Sequence, residues 1–392
     1  MVLRRTLTFA CLSLAVVACT TTDDPSNDDE VGDTGETGSE AGAPCDPAAD
    51  AVDESSCVPL ASDYTPATPD DDPYGACVSD AGVYELIADP PGSIGRIEAY
   101  DEIAEILWRR ADAPSADDFT TARTIYEADQ GLGSRVDRRE DLHYPPIPEA
   151  EWDPGLDPDK QCANETNATN HPDRCVGPAK LRPLINGAFI DGMSGTGDPN
   201  TAAATIEAGF VWFAALSVYK EASTCLAKAK DCDSAWAYYT GGAQVDGALL
   251  GFAALVEAYS PGTHQRIFDG ILAVRCFRDL YPIETYATYD DLPEDGKQTF
   301  DDAWAQVDTA LQRGLAVALR QHLLAQDDDQ CSEASAANWA FVQILGGVID
   351  REAQLRDPAN ADALSAILEL DAPTSEDIEA AAVLLDGLIP CS

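Results

Sequence analysis

The chain has 392 residues, 70 of them acidic and 24 basic, for a net charge of −46, with 45% hydrophobic residues. That charge excludes nucleic acid as a partner, since polyphosphate would be repelled, while the apolar content suffices for a large core. The charge itself reads either as solubility in salty surroundings or as a device that gathers cations around the molecule.

Residues 1–18 read as an export signal: Arg4 and Arg5 precede a short apolar run at residues 7–18, too short to span a bilayer. The run ends in Val16-Val17-Ala18-Cys19, which resembles a bacterial lipobox and makes Cys19 the lipidated first residue of the mature chain. Ordinary cleavage after Ala18 is the alternative. Residues 19–90 then read as an acidic flexible tether running into an irregular Pro/Asp-rich segment, because the stretch after Cys19 lacks apolar periodicity. Lipid on Cys19 would place the protein outside the cytoplasm, anchored to a bacterial membrane.

Twelve cysteines are present, and ten remain once Cys11 and Cys19 are set aside. An even set in an exported chain reads as disulfides. Cys162 with Cys175, and Cys225 with Cys232, are close enough in sequence to pair locally. The partners of Cys45, Cys57, Cys77, Cys276, Cys331 and Cys391 are not fixed by sequence. No CxxC occurs to suggest a zinc ribbon or a thioredoxin-like site.

Residues 91–392 read as an all-α domain. The first helix, in SIGRIEAYDEIAEILWRRAD, has a stripe of Ile97, Ile103, Ile106 and Leu107. A second, in SADDFTTARTIYEADQG, opens on Ser115 with Asp118 three residues on, a capping box. A long Pro/Asp/Asn loop follows, tied by Cys162 and Cys175. A long helix comes next, with Ile206, Phe210, Phe213, Leu216 and Val218 on its apolar face. SAWAYYTGGAQVDGALLGFAALVEAY then reads as helical, with a break at Gly241-Gly242 as one possibility. HQRIFDGILAVRCFRDL, the segment from residue 296 to 326, SAANWAFVQILGGVIDREAQL and the Thr374-capped TSEDIEAAAVLLDGLI complete the helices. No bounded period-2 alternation suggests a strand.

Two stretches share a grammar. CDSAWAYYTGG and CSEASAANWAFVQILGG both run from cysteine to Trp-Ala-aromatic to Gly-Gly, with Trp236 and Trp339 separated by 103 residues. Each follows a long helix, so the pattern predicts a helical bundle built from two related units with disulfide-tied loops. Each tryptophan would fill a seam between paired helices, and each Gly-Gly would permit a kink or a close approach. Two unrelated helices in an alanine-rich chain are the alternative, since the Cys-to-Trp spacings are four and eight residues.

DDFTTARTIYEADQG, SAWAYYTGG, GILAVRCFRDL and ANWAFVQILGGVI, in this order, resemble the iron-assimilating, high-CO2-inducible periplasmic proteins of green algae. The resemblance spans roughly residues 95–391. It implies extracytoplasmic iron assimilation by a bacterial lipoprotein counterpart, with iron (Fe3+) as the bound metal. It transfers no ligand residue.

Candidate chemistry is sparse. His143, His171, His264 and His322 fall in no metal-ligand spacing and read as surface or loop residues. The GMSGTG stretch around Ser194 reads as a structural turn, lacking both a nucleophile elbow and the P-loop lysine. What remains is carboxylates on apolar helices. Asp246 and Glu257, eleven residues apart, would share a helix face among small apolar neighbours, and Glu207 and Glu221 would share another. Such groups are paired with a base such as Lys220 or Arg275, exposed, or bound to a cation; hard oxygen ligands suit Fe3+, Ca2+ or Mn2+. The ExxE pairs Glu102/Glu105 and Glu376/Glu379 are what any acidic helix shows. The expectation is therefore a non-catalytic, membrane-anchored binder of iron or another cation, with Asp246, Glu257, Glu207 and Glu221 as candidate metal ligands and a surface or transport partner left open. A cell-surface structural or protein-interaction lipoprotein without a metal site is the alternative.

Overall fold

The computed structural model describes residue 54 and residues 60–67, 74–327 and 335–390. All of them fall in one compact unit, Ala43–Ser392. The export signal, Cys19 and the acidic stretch after it lie outside the described residues, as do Cys45, Cys57, Cys331 and Cys391.

The described residues form thirteen α-helices and no strand. In chain order they are α1 (Ser93–Leu107), α2 (Ala116–Tyr126), α3 (Leu132–Val136), α4 (Glu165–Asn170), α5 (Arg182–Ser194), α6 (Pro199–Thr224) and α7 (Ala229–Thr240). They continue with α8 (Gly251–Tyr259), α9 (Pro261–Leu280), α10 (Glu294–Asp327), α11 (Ser335–Arg356), α12 (Pro358–Leu368) and α13 (Ser375–Leu388). The all-α, disulfide-tied fold is as the periodicity and cysteine spacing predict. Both predicted capping boxes form: Asp118 N–H donates to Ser115 Oγ, and Asp377 N–H donates to Thr374 Oγ1.

At the centre stands α6. Asp198 caps it and Pro199 opens it, where a missing N–H costs nothing. Ile206, Phe210, Phe213, Leu216 and Val218 are buried as expected, but so are the alanines around the rest of the helix. A helix apolar all round belongs in a core. It is long and apolar enough to cross a membrane by length and composition, yet 78% of that window is buried within the fold. The helices α5, α7, α10 and α11 pack around it.

The two tryptophan segments occupy corresponding places. α6 leads to α7 with Trp236, and α10 leads to α11 with Trp339; each long helix packs on its own tryptophan helix, and α6 also packs on α10 and α11. Trp236 Nε1 donates to Ala243 O (2.9 Å) and Trp339 Nε1 to Leu370 O (2.8 Å). The glycine pairs differ. Gly241 and Gly242 have φ of 70° and 95°, a left-handed stop that ends α7. Gly346 sits inside α11, where a Cβ would lie 2.2 Å from Leu368 Cδ1, so its absence lets α12 close down.

Cys162–Cys175 and Cys225–Cys232 form as predicted, and Cys77 pairs with Cys276, joining the N-terminal segment to α9. That segment is irregular, yet it belongs to the core. Tyr64, Tyr74 and Tyr84 are buried, and Tyr84 stacks on Trp236 with ring centroids 4.8 Å apart. Asp233 on α7 accepts from Tyr84 Oη and from the backbone N–H of Ile87 and Ala88. Residue 90 thus marks a change of secondary structure, and the core extends across it.

Candidate functional site

The four candidate carboxylates meet three different fates. Asp246 and Glu257 share no helix face, because α7 stops at Gly241 and Asp246 lies in the loop before α8. Both are exposed. Glu207 and Glu221 do lie on one helix, but fourteen residues of α6 separate them by about 21 Å along the axis. Half-buried Glu207 forms no hydrogen bond among the described residues. Burial, relieved in part by the Arg109 charge, pushes its carboxyl up to about 8, so it is largely protonated at neutral pH. Glu221 has a base: its Oε1 lies 3.5 Å from Arg139 Nη1. The two bases named from sequence are engaged elsewhere, Arg275 with Glu85 O and Lys220 near Glu140. The ExxE glutamates 102, 105, 376 and 379 are exposed. No group of three His, Cys, Asp or Glu side chains among the described residues is placed to hold a metal.

The histidines correct the sequence reading most. His264 is buried on α9, its Nε2 against Val245 O and its Nδ1 receiving Tyr239 Oη. His322 on α10 stacks 3.6 Å from Phe341, and burial lowers its pKa to about 4. His171 pairs with Glu151 (2.8 Å). His264 and His322 are held within helices, in place of the surface or loop setting expected, whereas His171 is the partly exposed loop residue the sequence suggests.

His143 is the centre of a cavity. It sits in the loop after α3, with only 7% of its side chain exposed. Nδ1 lies 2.6 Å from Asp141 Oδ1 and Nε2 lies 2.9 Å from Asp308 Oδ1 on α10. The ring stacks on Tyr219 of α6 at 3.9 Å, and Tyr219 stacks in turn on Trp304. Burial alone would lower the imidazole pKa. The hydrogen bonds and charges of Asp141 and Asp308 outweigh it and push the value up to about 9, so His143 is an imidazolium at neutral pH. Burial and the Asp308 charge hold the Tyr219 phenol in its neutral form. The cavity encloses about 60 Å³ between α6, α10 and α11 and is also lined by Tyr144, Lys180 and Arg351. Arg351 presents a buried Nη2 that makes no hydrogen bond among the described residues and lies 3.6 Å from Glu352 Oε2.

As an imidazolium hydrogen-bonded on both nitrogens this centre holds no cation; one would enter only in exchange for the Nε2 proton. Two ligands bound cis at about 2.1 Å lie about 3.0 Å apart, close to the 2.9 Å between His143 Nε2 and Asp308 Oδ1. Asp141 on Nδ1 completes the carboxylate–histidine arrangement that orients a metal-bound imidazole. The protein would supply two ligands, leaving other positions to water, a phenol oxygen or a small anion. Sequence reasoning missed the site because its two halves lie 165 residues apart. The local signal was Asp-x-His at 141–143, alone too common to single out.

No protein-family model matches the chain, and no curated protein or solved structure matches it.

Proposed function

We propose that the chain is an extracytoplasmic lipoprotein, held to a membrane through Cys19, that binds iron for assimilation without catalysing a reaction. The observation that carries this reading is the His143–Asp308 pair, with Asp141 behind the imidazole and tyrosines beside it. Hard carboxylate and phenol oxygens with one imidazole suit ferric iron by ligand chemistry. Iron would supply only its Lewis acidity as a bound cargo; the chain's part is to orient His143 through Asp141 and to hold Asp308 in reach. An incomplete ligand set suits a carrier that must release what it binds. The resemblance to iron-assimilating periplasmic proteins supports the same reading.

A second reading rests on the same atoms. Both nitrogens of His143 already have partners, so the centre also works as a clasp between the α3 loop and α10. The protein would then be an acidic interaction scaffold of the cell surface. Elemental analysis, with calorimetric titration by Fe3+, Mn2+ and Ca2+, separates the two. Iron binding expects about one equivalent of metal, a rise in Tm with metal, and loss of both in Asp308→Asn. A wild-type protein that takes up no metal, and whose Tm is indifferent to it, removes the iron reading and leaves the scaffold.

A further inference from the structure

The chain's few cations are unevenly spread. Of 24 lysines and arginines in a molecule of net charge −46, seven line a single open cleft of about 310 Å³, with four carboxylates among them. Three of the seven, Arg135, Arg138 and Arg139, come from one short stretch after the start of α3.

These arginines are short of partners. Arg139 is 4% exposed and lies over the rings of Phe213 (5.1 Å) and Tyr238 (5.2 Å). Among the described residues its guanidinium makes no hydrogen bond, its nearest carboxylate is Glu221 at 3.5 Å, and its buried Nε is unsatisfied. Arg135 Nε is likewise buried and unsatisfied. Half-buried Arg138 forms no hydrogen bond or ion pair through its side chain among the described residues, and burial and then the Arg139 and Arg96 charges hold its pKa below the usual arginine value. Lys220 Nζ reaches only to 3.8 Å from Glu140, beyond hydrogen-bond range. Like charges kept side by side and partly out of water destabilise a fold unless something compensates them.

The cleft is also pre-formed. Cys225–Cys232 closes the turn that carries Lys228, and Cys162–Cys175 anchors the chain two residues after Lys160. Guanidinium forks pair with carboxylate and phosphate oxygens two at a time. A polyanion is disfavoured, because the surface around so small a patch is acidic.

We propose that this cleft binds a small, multiply charged oxyanion, of the phosphate or polycarboxylate class, free in solution. Arg138, Arg139 and Lys220 grip it, and Glu221 is the resident counter-charge that it displaces in part. The site is separate from the His143 cavity and does not depend on iron, so it is tested on metal-free protein.

The experiment is calorimetry of the full chain with inorganic phosphate and with citrate in low-chloride buffer, alongside flotation with phosphatidylglycerol vesicles. The expected result is saturable binding of at least one of the two anions with a rise in Tm. Arg138→Gln should weaken it tenfold or more, with no loss of Tm in the ligand-free protein. Glu221→Gln should tighten it several-fold, a gain that loss of fold cannot mimic. Absence of binding by both anions at millimolar concentration, affinity unchanged in both variants, or binding to vesicles alone would overturn the proposal.

Discussion

The stretch from Arg135 to Tyr144 faces two cavities, and it treats charge in opposite ways on the two sides. Toward α10 it presents His143 with carboxylates on both ring nitrogens, each charge met by its counter-charge within hydrogen-bond distance. Toward the turn between α6 and α7 it presents three arginines whose guanidinium groups find one carboxylate, at 3.5 Å. With its imidazole protonated the first side is closed by its own residues and admits a cation only when the Nε2 proton leaves; the second is left open for a ligand. The same helix, α6, serves both, through Tyr219 on one side and Lys220 and Glu221 on the other. Burial alone therefore does not distinguish a structural charge from a binding one. The distinguishing feature is whether the fold itself supplies the partner.

The largest effect should come from breaking the closed side. His143→Ala leaves buried Asp141 and half-buried Asp308 without their cation, which should cost about 3 kcal/mol of unfolding free energy in urea titrations, the low end for a buried pair. Adding Asp308→Asn to that variant should recover part of the loss. A His143→Ala protein as stable as wild type would mean that the two carboxylates are well solvated and the clasp is slack.

The pH dependence sharpens the same contrast. His143 keeps its proton up to about 9 in the folded state, against about 6.5 when unfolded. Its contribution is fully present below about 6.5 and is lost as pH rises toward 9, about 3 kcal/mol in all. Glu207, lacking a partner at hydrogen-bond distance, behaves as a raised acid. Between about 4.5 and 8 the folded state holds a proton that the unfolded state has released, so stability falls as pH rises. Partial access to solvent reduces the full shift to about 2–3 kcal/mol. Glu207→Gln should make the fall between about 4.5 and 6.5 shallower than in the wild type while leaving the His143 loss from about 6.5 toward pH 9. A variant whose stability still falls between pH 4.5 and 6.5 as the wild type does would assign that slope to another group.

The disulfides test the open side alone. Replacing Cys225 and Cys232 by serine should lower stability by about 2.5 kcal/mol, by the loop-closure relation for so short a loop. It should weaken anion binding at the cleft, because Lys228 stands on the released turn. Metal titration at the His143 cavity should be unchanged. Equal loss at both sites would show that the turn supports α6 as a whole.

Much of the fold was legible because it is written locally. Ser115 with Asp118 and Thr374 with Asp377 announce helix starts within four residues, and Cys162/Cys175 and Cys225/Cys232 pair across short loops. The break at Gly241-Gly242 was legible as one of two options, and it undid the face shared by Asp246 and Glu257. What escaped depends on contacts far apart in sequence. Tyr84 reaches Trp236 across about 150 residues, and Asp308 reaches His143 across 165. No periodicity records such a meeting. The basic cleft escaped for a related reason: its cations come from three loops and three helices, so the seven form no single charge run that stands out in an acidic chain.

The smallest effect should come from the carboxylates that the sequence favoured most. Asp246 and Glu257 stand in solvent on separate elements, one in a loop and one on α8. An exposed carboxylate with no partner at close range contributes little either way, so Asp246→Asn with Glu257→Gln should shift stability by no more than about 0.5 kcal/mol. Removing two negative charges from a chain at −46 relieves a little self-repulsion, which favours a slight gain at low salt that screening abolishes. Any metal-dependent rise in Tm should be the same in this double variant as in wild type, whereas Asp308→Asn should lose it. The comparison is informative because the two changes remove the same kind of group from opposite settings, one enclosed beside an imidazolium and one in water. A double variant that lost its metal response while Asp308→Asn kept it would move the cation from the His143 cavity to the α8 surface.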